Sequence, residues 1–222
     1  MKVLLLGATG MIGQGVLREC LRDPTVNAVI SLGRSPSGRV DPKLTEIVHP
    51  DLADRAALGP VLTGLDACFF CLGVSSVRLA QTEYERITYD LTIHVAEMLI
   101  AANPGMTFVY VSGQGTDSTE HGRSRWARVK GRTENRLRAM PFKAVYLFRP
   151  GMVQPLHGIT SRTRLYRVLY WLLTPLLSTL RWLFPRTIAT TQQLGRAMIR
   201  VAQDGYPTPI LEARDLTRLG AT

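Results

Sequence analysis

Lys2-Val3-Leu4-Leu5-Leu6-Gly7-Ala8-Thr9-Gly10-Met11-Ile12-Gly13 decides the fold. A short apolar run of strand length breaks into a turn with glycines at 7, 10 and 13. Ile12, Val16, Leu17, Cys20 and Leu21 then recur at helical spacing, which predicts a helix over 11–22 ending before Asp23-Pro24. Strand, glycine turn and helix in that order form the phosphate-binding fingerprint of dinucleotide sites. One glycine lets the chain turn, one lets the main chain approach a phosphate, and one lets the helix pack on the strand. The helix N-terminus supplies free N–H groups and a partial positive charge to a pyrophosphate.

Further strands follow outward from that unit. Residues 28–32 form the second strand, and Gly33-Arg34-Ser35-Pro36-Ser37-Gly38-Arg39 follow it. An acidic residue at the end of this strand is what holds an unphosphorylated adenosine ribose. Here the position offers Arg34, whose guanidinium suits a 2′-phosphate, so NADP(H) is expected ahead of NAD(H). A third strand over 44–48 leads to Asp51-Leu52, expected at the adenine unless Asp51 caps the next helix, which is read from Asp54 to Leu65.

Residues 67–72 are apolar enough for a central parallel strand, which ends in Gly73. Cys71, Leu72 and Gly73 are therefore assigned to the ribose and nicotinamide side of the cofactor. A long helix is expected over 83–102, with Ile87, Leu91, Val95, Met98 and Leu99 as its buried stripe. A fifth strand over 107–112, a basic helix over 124–139, a sixth strand over 144–148, a helix over 191–204 and a short strand at 210–212 complete the pattern, with a mobile tail beyond it.

The totals narrow the function. A chain of 222 residues with 45% hydrophobic composition suits one domain spanning 1–222. The net charge of +10 comes from arginines spread along the chain, which fits an anionic cofactor better than nucleic acid. Cys20, Cys68 and Cys71 form no metal spacing with the histidines, so no metal is expected. Cys68 and Cys71 lie three apart in a strand and so point to opposite faces. An odd cysteine count, with residues 1–6 too short for a secretory signal core, leads to a cytoplasmic expectation.

The ordered set Gly7–Gly13, Leu32-Gly33-Arg34, Asp51-Leu52, Cys71-Leu72-Gly73, Val111-Ser112-Gly113 and Phe148-Arg149-Pro150-Gly151 resembles the short-chain dehydrogenase/reductase superfamily. Its atypical branch, epimerase/dehydratase-like and NmrA-like, is the nearest match in pattern. The resemblance covers about residues 1–153. It implies an α/β, Rossmann-like, doubly wound parallel sheet of six or seven strands and an NAD(P)(H) cofactor. It also implies that Ser112 positions a substrate carbonyl and that Lys130 and Pro150 lie with the cofactor. Active members carry a Tyr-x-x-x-Lys pair; here Trp126 precedes Lys130 in the tyrosine position. Indole N–H donates but does not titrate. Either another donor (His121, Ser124, His157, a water or Lys130 itself) supplies the proton, or the protein senses the cofactor and regulates a protein partner.

Residues 154–189 contain an apolar, arginine-flanked stretch at 165–184. Its uncharged core is shorter than the roughly 20 residues of a membrane span and carries Pro175. It is read as a helical lid over a small hydrophobic substrate, as the interface of a homodimer should the chain not be a monomer, or as a peripheral membrane contact.

Overall fold

The computed structural model describes residues 1–76, 79–159 and 188–221. Seven strands form one parallel sheet: β1 (Lys2–Leu6), β2 (Ala28–Gly33), β3 (Leu44–Val48), β4 (Ala67–Phe70), β5 (Thr107–Val111), β6 (Ala144–Arg149) and β9 (Ile210–Glu212). Their order is β3-β2-β1-β4-β5-β6-β9. Two short strands, β7 (Val153–Gln154) and β8 (Ala189–Thr190), pair parallel beside it. The expected doubly wound Rossmann-like architecture is therefore observed.

Strand periodicity builds the two halves of the core. In β1, Val3 and Leu5 enter one apolar cluster while Leu4 and Leu6 enter the other. Helices α1 (Met11–Arg22) and α6 (Thr191–Gln203) cover the first face with Val16, Leu17, Leu194 and Met198. Helices α4 (Leu91–Ala102) and α5 (Arg125–Arg138) cover the second with Val95, Leu99 and Leu137. Both faces of the sheet are thus buried, as parallel sheets require. Cys68 and Cys71 join opposite clusters, as expected, although Cys71 lies just past the end of β4.

Four expectations change. The helix read over 54–65 is only α2 (Arg55–Leu58), because Gly59-Pro60 interrupts it. The helix read over 83–102 is continuous over 81–102 but not uniform: α3 (Gln81–Glu85) passes through a π turn over Arg86–Asp90 into α4. The tail expected to be mobile forms α7 (Ala213–Ala221), whose Leu216 is buried and whose Gly220 packs on the Gln193 backbone. The fourth strand ends at Phe70 rather than 72, which frees Cys71-Leu72-Gly73 as loop. The apolar stretch at 165–184, read as a lid, an interface or a peripheral membrane contact, lies outside the described residues.

Candidate functional site

The strand order reverses between β1 and β4, and open α/β sheets bind ligands beyond the carboxyl ends of their strands at such a point. A cleft of about 440 Å³ opens there. It is lined by Gly7, Ala8, Thr9, Gly10 and Met11 from the first turn and by Arg34 and Ser35 after β2. Asp51 and Leu52 after β3, and Cys71, Leu72 and Gly73 after β4, complete its predicted walls.

The glycine turn is built by close approach. Gly7 has φ +84°, and a Cβ on it would lie 2.7 Å from the Cys71 carbonyl carbon and the Leu72 nitrogen. The end of β1 and the loop after β4 thus meet without a side chain between them. A Cβ on Gly13 would lie 2.0 Å from the Gly7 oxygen, so the first turn of α1 rests directly on the loop. Ile12 and Gly13, expected at the cofactor, do not line the cleft: Ile12 packs its side chain on the core and Gly13 sits against Gly7. Gly10 caps α1 with no side-chain hydrogen bond, and the first turn holds no acidic residue. The N–H groups of that turn are left for a ligand, and the dipole favours an anionic one.

Arg34 is exposed at the cleft and has no hydrogen-bond or ion-pair partner among the described residues. Arg39 does not line the cleft; its backbone N–H donates to Ser37 Oγ at 3.2 Å. Asp51 does not cap the following helix. Asp54 does so, its carboxylate accepting from the Ala57 N–H at 3.0 Å, while Asp51 Oδ1 accepts from Ala53 N–H at 2.9 Å. Leu52 is buried beside the cleft, with only its edge on the wall.

A second group of predicted residues gathers at the ends of β5 and β6, outside the lining of this cleft. Ser112 Oγ donates to the Phe148 carbonyl at 3.1 Å. Pro150 is buried and its carbonyl accepts from Gln114 N–H at 2.9 Å, which holds the loop after Ser112. Lys130 Nζ donates to the Val111 carbonyl at 3.3 Å and lies 5.4 Å from the Tyr110 ring centre. The Trp126 indole covers the same loop: a Cβ on Gly115 would lie 3.7 Å from its six-membered ring. His121, Ser124 and His157 are exposed and away from the cleft lining.

Burial of the Lys130 ammonium lowers its pKa to about 8, with Glu134 pulling the other way. In an unfolded chain a lysine keeps its proton to about 10.4. Between these values the unfolded chain binds more protons, so stability gains with rising pH from this group. Relative to a Lys130→Met variant, wild-type stability is therefore expected to climb from about pH 8 and level off above pH 10. Urea midpoints measured across that range check this; parallel curves for the two proteins would show that Lys130 is not desolvated.

Sequence reasoning missed Arg86, Ile87 and Leu91, which also line the cleft. The helical stripe assigns Ile87 and Leu91 to the core; Leu91 does pack on the second core cluster and also reaches the cleft, while Ile87 is half-buried at the cleft wall. A π turn adds a residue per turn and rotates the following side chains, and such turns recur at functional sites.

A family model described as NAD(P)H-binding matches residues 7–153, the stretch that carries the glycine turn and both groups of residues. The chain belongs to this NAD(P)H-binding family. Its fold is like that of solved structures from the short-chain dehydrogenase/reductase family. An oxidoreductase of that family from Burkholderia thailandensis superposes with a TM-score of 0.69 at 16% identity, covering 96% of this chain and 90% of the other. Among curated relatives, protein fmp52-1 of Aspergillus terreus, named as mitochondrial, is 29% identical over 157 residues, which is 68% of this chain and 66% of the relative. Protein HTATIP2 of Rattus norvegicus is 27% identical over 154 residues, 68% of this chain and 62% of its own. The chain thus matches just under two thirds of these relatives' lengths.

These names overturn the cytoplasmic expectation, since the fmp52 relatives of this NAD(P)H-binding chain are named as mitochondrial. The cysteine count misled for a physical reason. Cys20 and Cys68 are buried and Cys71 half-buried, and burial pushes all three thiols above their ordinary pKa. Thiols kept inert by burial say little about the compartment around them.

Proposed function

We propose that this chain is an NADP(H)-dependent oxidoreductase or epimerase-like protein acting on a small apolar substrate. One observation carries the reading: the start of α1, with no side-chain cap, and Arg34, with no partner among the described residues, line the same cleft. The first suits a pyrophosphate and the second a 2′-phosphate. NADPH supplies a hydride when bound. Gly7 to Met11 hold the pyrophosphate through backbone N–H groups, and Asp51 accepts from the adenine amino group. Cys71, Leu72 and Gly73 border the ribose and nicotinamide side.

At the ends of β5 and β6, Ser112 turns its hydroxyl proton from the Phe148 carbonyl toward a substrate oxygen. Trp126 cannot transfer a proton at its indole nitrogen. Lys130 can, at Nζ, because its lowered pKa lies near neutrality. The Trp126 ring gives the site an apolar wall, which favours an apolar substrate. Monitoring NADPH consumption with a panel of apolar ketones, aldehydes and quinones tests this function. Turnover of one of them, lost in Lys130→Met, is the expected result.

Trp126 also supports a second reading, a cofactor-sensing regulator that binds a protein partner without turnover. Firm NADPH binding with no oxidation across the whole panel would favour it.

Arg34→Ala is expected to weaken NADPH binding about 10- to 100-fold, the range of a charge-assisted contact, and NADH binding much less. Fluorescence titration of the variant with both dinucleotides measures this. Equal losses would remove the 2′-phosphate role from Arg34.

A further inference from the structure

Two arginines line the cleft, and their surroundings differ. Arg34 has no partner among the described residues. Arg86 is held: Nε donates to Glu83 Oε2 at 2.9 Å and Nη2 donates to Glu83 Oε1 at 2.8 Å. That bidentate grip takes up one edge of the guanidinium fork. Asp51 and Asp90 add further negative charge around it. A phosphate approaching Arg86 would meet three carboxylates. The two faces of the guanidinium remain available, since the side chain is 67% exposed.

The neighbours of Arg86 suit a flat base rather than an anion. Ile87 and Leu91, from the same π turn and the start of α4, line the cleft beside it, and Leu52 adds an apolar edge. Asp51 offers a carboxylate acceptor to an exocyclic amine at the same end of the cleft. A planar cation with its edge occupied and its face open is a stacking surface for an aromatic ring. The π turn at Arg86–Asp90 carries Arg86 and Ile87 at the cleft wall, while Leu52 and Leu91 reach it from the second core cluster.

We propose that Arg86, held by Glu83, is the platform on which the adenine of the cofactor stacks, leaving the 2′-phosphate to Arg34. The inference rests on the cleft being an NADP(H) site and adds to it a residue that reads the base. The two arginines thereby divide the work: one contact depends on the phosphate, the other only on the adenine.

Titration of the full chain with NADPH, NADH and ADP-ribose tests the division. Arg86→Ala is expected to weaken all three ligands by the same factor, about tenfold, as removal of a base-stacking partner does. The ratio of NADPH to NADH affinity and its dependence on salt stay as in wild type. Arg86→Lys, which keeps the charge and loses the plane, gives the same pattern. Glu83→Gln gives a smaller loss across the three ligands, because the platform is less firmly held. Thermal unfolding of each variant confirms that it is folded. Unchanged affinity in Arg86→Ala would overturn the platform, and a loss confined to NADPH would reassign Arg86 to the phosphate. Wild-type protein that binds none of the three would instead overturn the cofactor reading itself, and the platform with it.

Discussion

Gly13→Ala is expected to cost both stability and cofactor binding. The added methyl would lie 2.0 Å from the Gly7 oxygen, 2.6 Å from the Gly7 carbonyl carbon and 3.0 Å from the Ala8 Cα. All three are backbone atoms, so no side chain can swing aside. The start of α1 must move away from the turn, and overpacking of that kind costs about 1–3 kcal/mol, with this case at the upper end. The same movement withdraws the helix N–H groups from the cleft, so NADPH affinity should fall at least on the order of tenfold, the worth of one lost charge-assisted contact. Gly73→Ala is the control. Gly73 lines the same cleft, yet a Cβ there meets nothing within 4 Å. Its stability should stay within about 0.5 kcal/mol of wild type. Urea unfolding of the pair measures both effects, and a Gly13→Ala protein as stable as Gly73→Ala would refute the packing account.

Glu134→Ala is expected to destabilise the protein by about 3 kcal/mol, the low end for breaking a buried ion pair. The Glu134 side chain is 1% exposed and receives two donors from Arg149, one of them Nε at 3.1 Å. Arg149 is itself largely buried, and its guanidinium also donates to Ser118 Oγ at 2.5 Å. Glu212 stands 3.6 Å from the same guanidinium. Removing Glu134 leaves that cation buried with one weaker, half-exposed carboxylate partner, which is why the cost stays at the low end. The pair also ties α5, which carries Trp126 and Lys130, to the end of β6 beside Pro150. Glu134→Gln keeps the shape and one acceptor, and should lose less than the alanine variant. Chemical denaturation of both variants checks this; a loss below 1 kcal/mol for Glu134→Ala would mean that Arg149 is satisfied without it.

The fold was legible where local pattern and tertiary role coincide. Gly13 is needed by its contact with Gly7, six residues away, and Gly7 by its own positive φ, so the spacing carries the turn even though Gly7 also meets the distant Cys71 and Leu72 backbone. Val3 to Leu6 alternate between two buried faces, and the apolar run therefore reads as an interior strand. Arg34 and Asp51 follow strand ends, where chain order alone brings them to the cleft. Other features depend on atoms distant in the chain. Ile87, Leu91 and Val95 keep a four-residue spacing that mimics a regular stripe, but with the π turn the first two reach the cleft wall, Leu91 while still packing on the second core cluster. Arg86 went unread for the same reason, since its place on the cleft follows from that turn. Helix α7 owes its order to Leu216 and to Gly220 lying against Gln193, a contact that its own arginine-rich sequence does not announce. The early end of α2 was readable from Gly59-Pro60, and the apolar Val61 to Leu65 masked it.

Everything proposed above rests on NADP(H) occupying the cleft at the ends of β1, β2 and β4. Equilibrium titration of the wild-type chain with NADPH and NADH, each followed by intrinsic and nicotinamide fluorescence, tests it most directly. Saturable binding of both is predicted, with NADPH tighter by on the order of tenfold or more, the worth of one charge-assisted phosphate contact. Competition by 2′,5′-ADP should displace NADPH. No saturable binding of either dinucleotide would contradict the claim, and equal affinity for the two would contradict its assignment of Arg34.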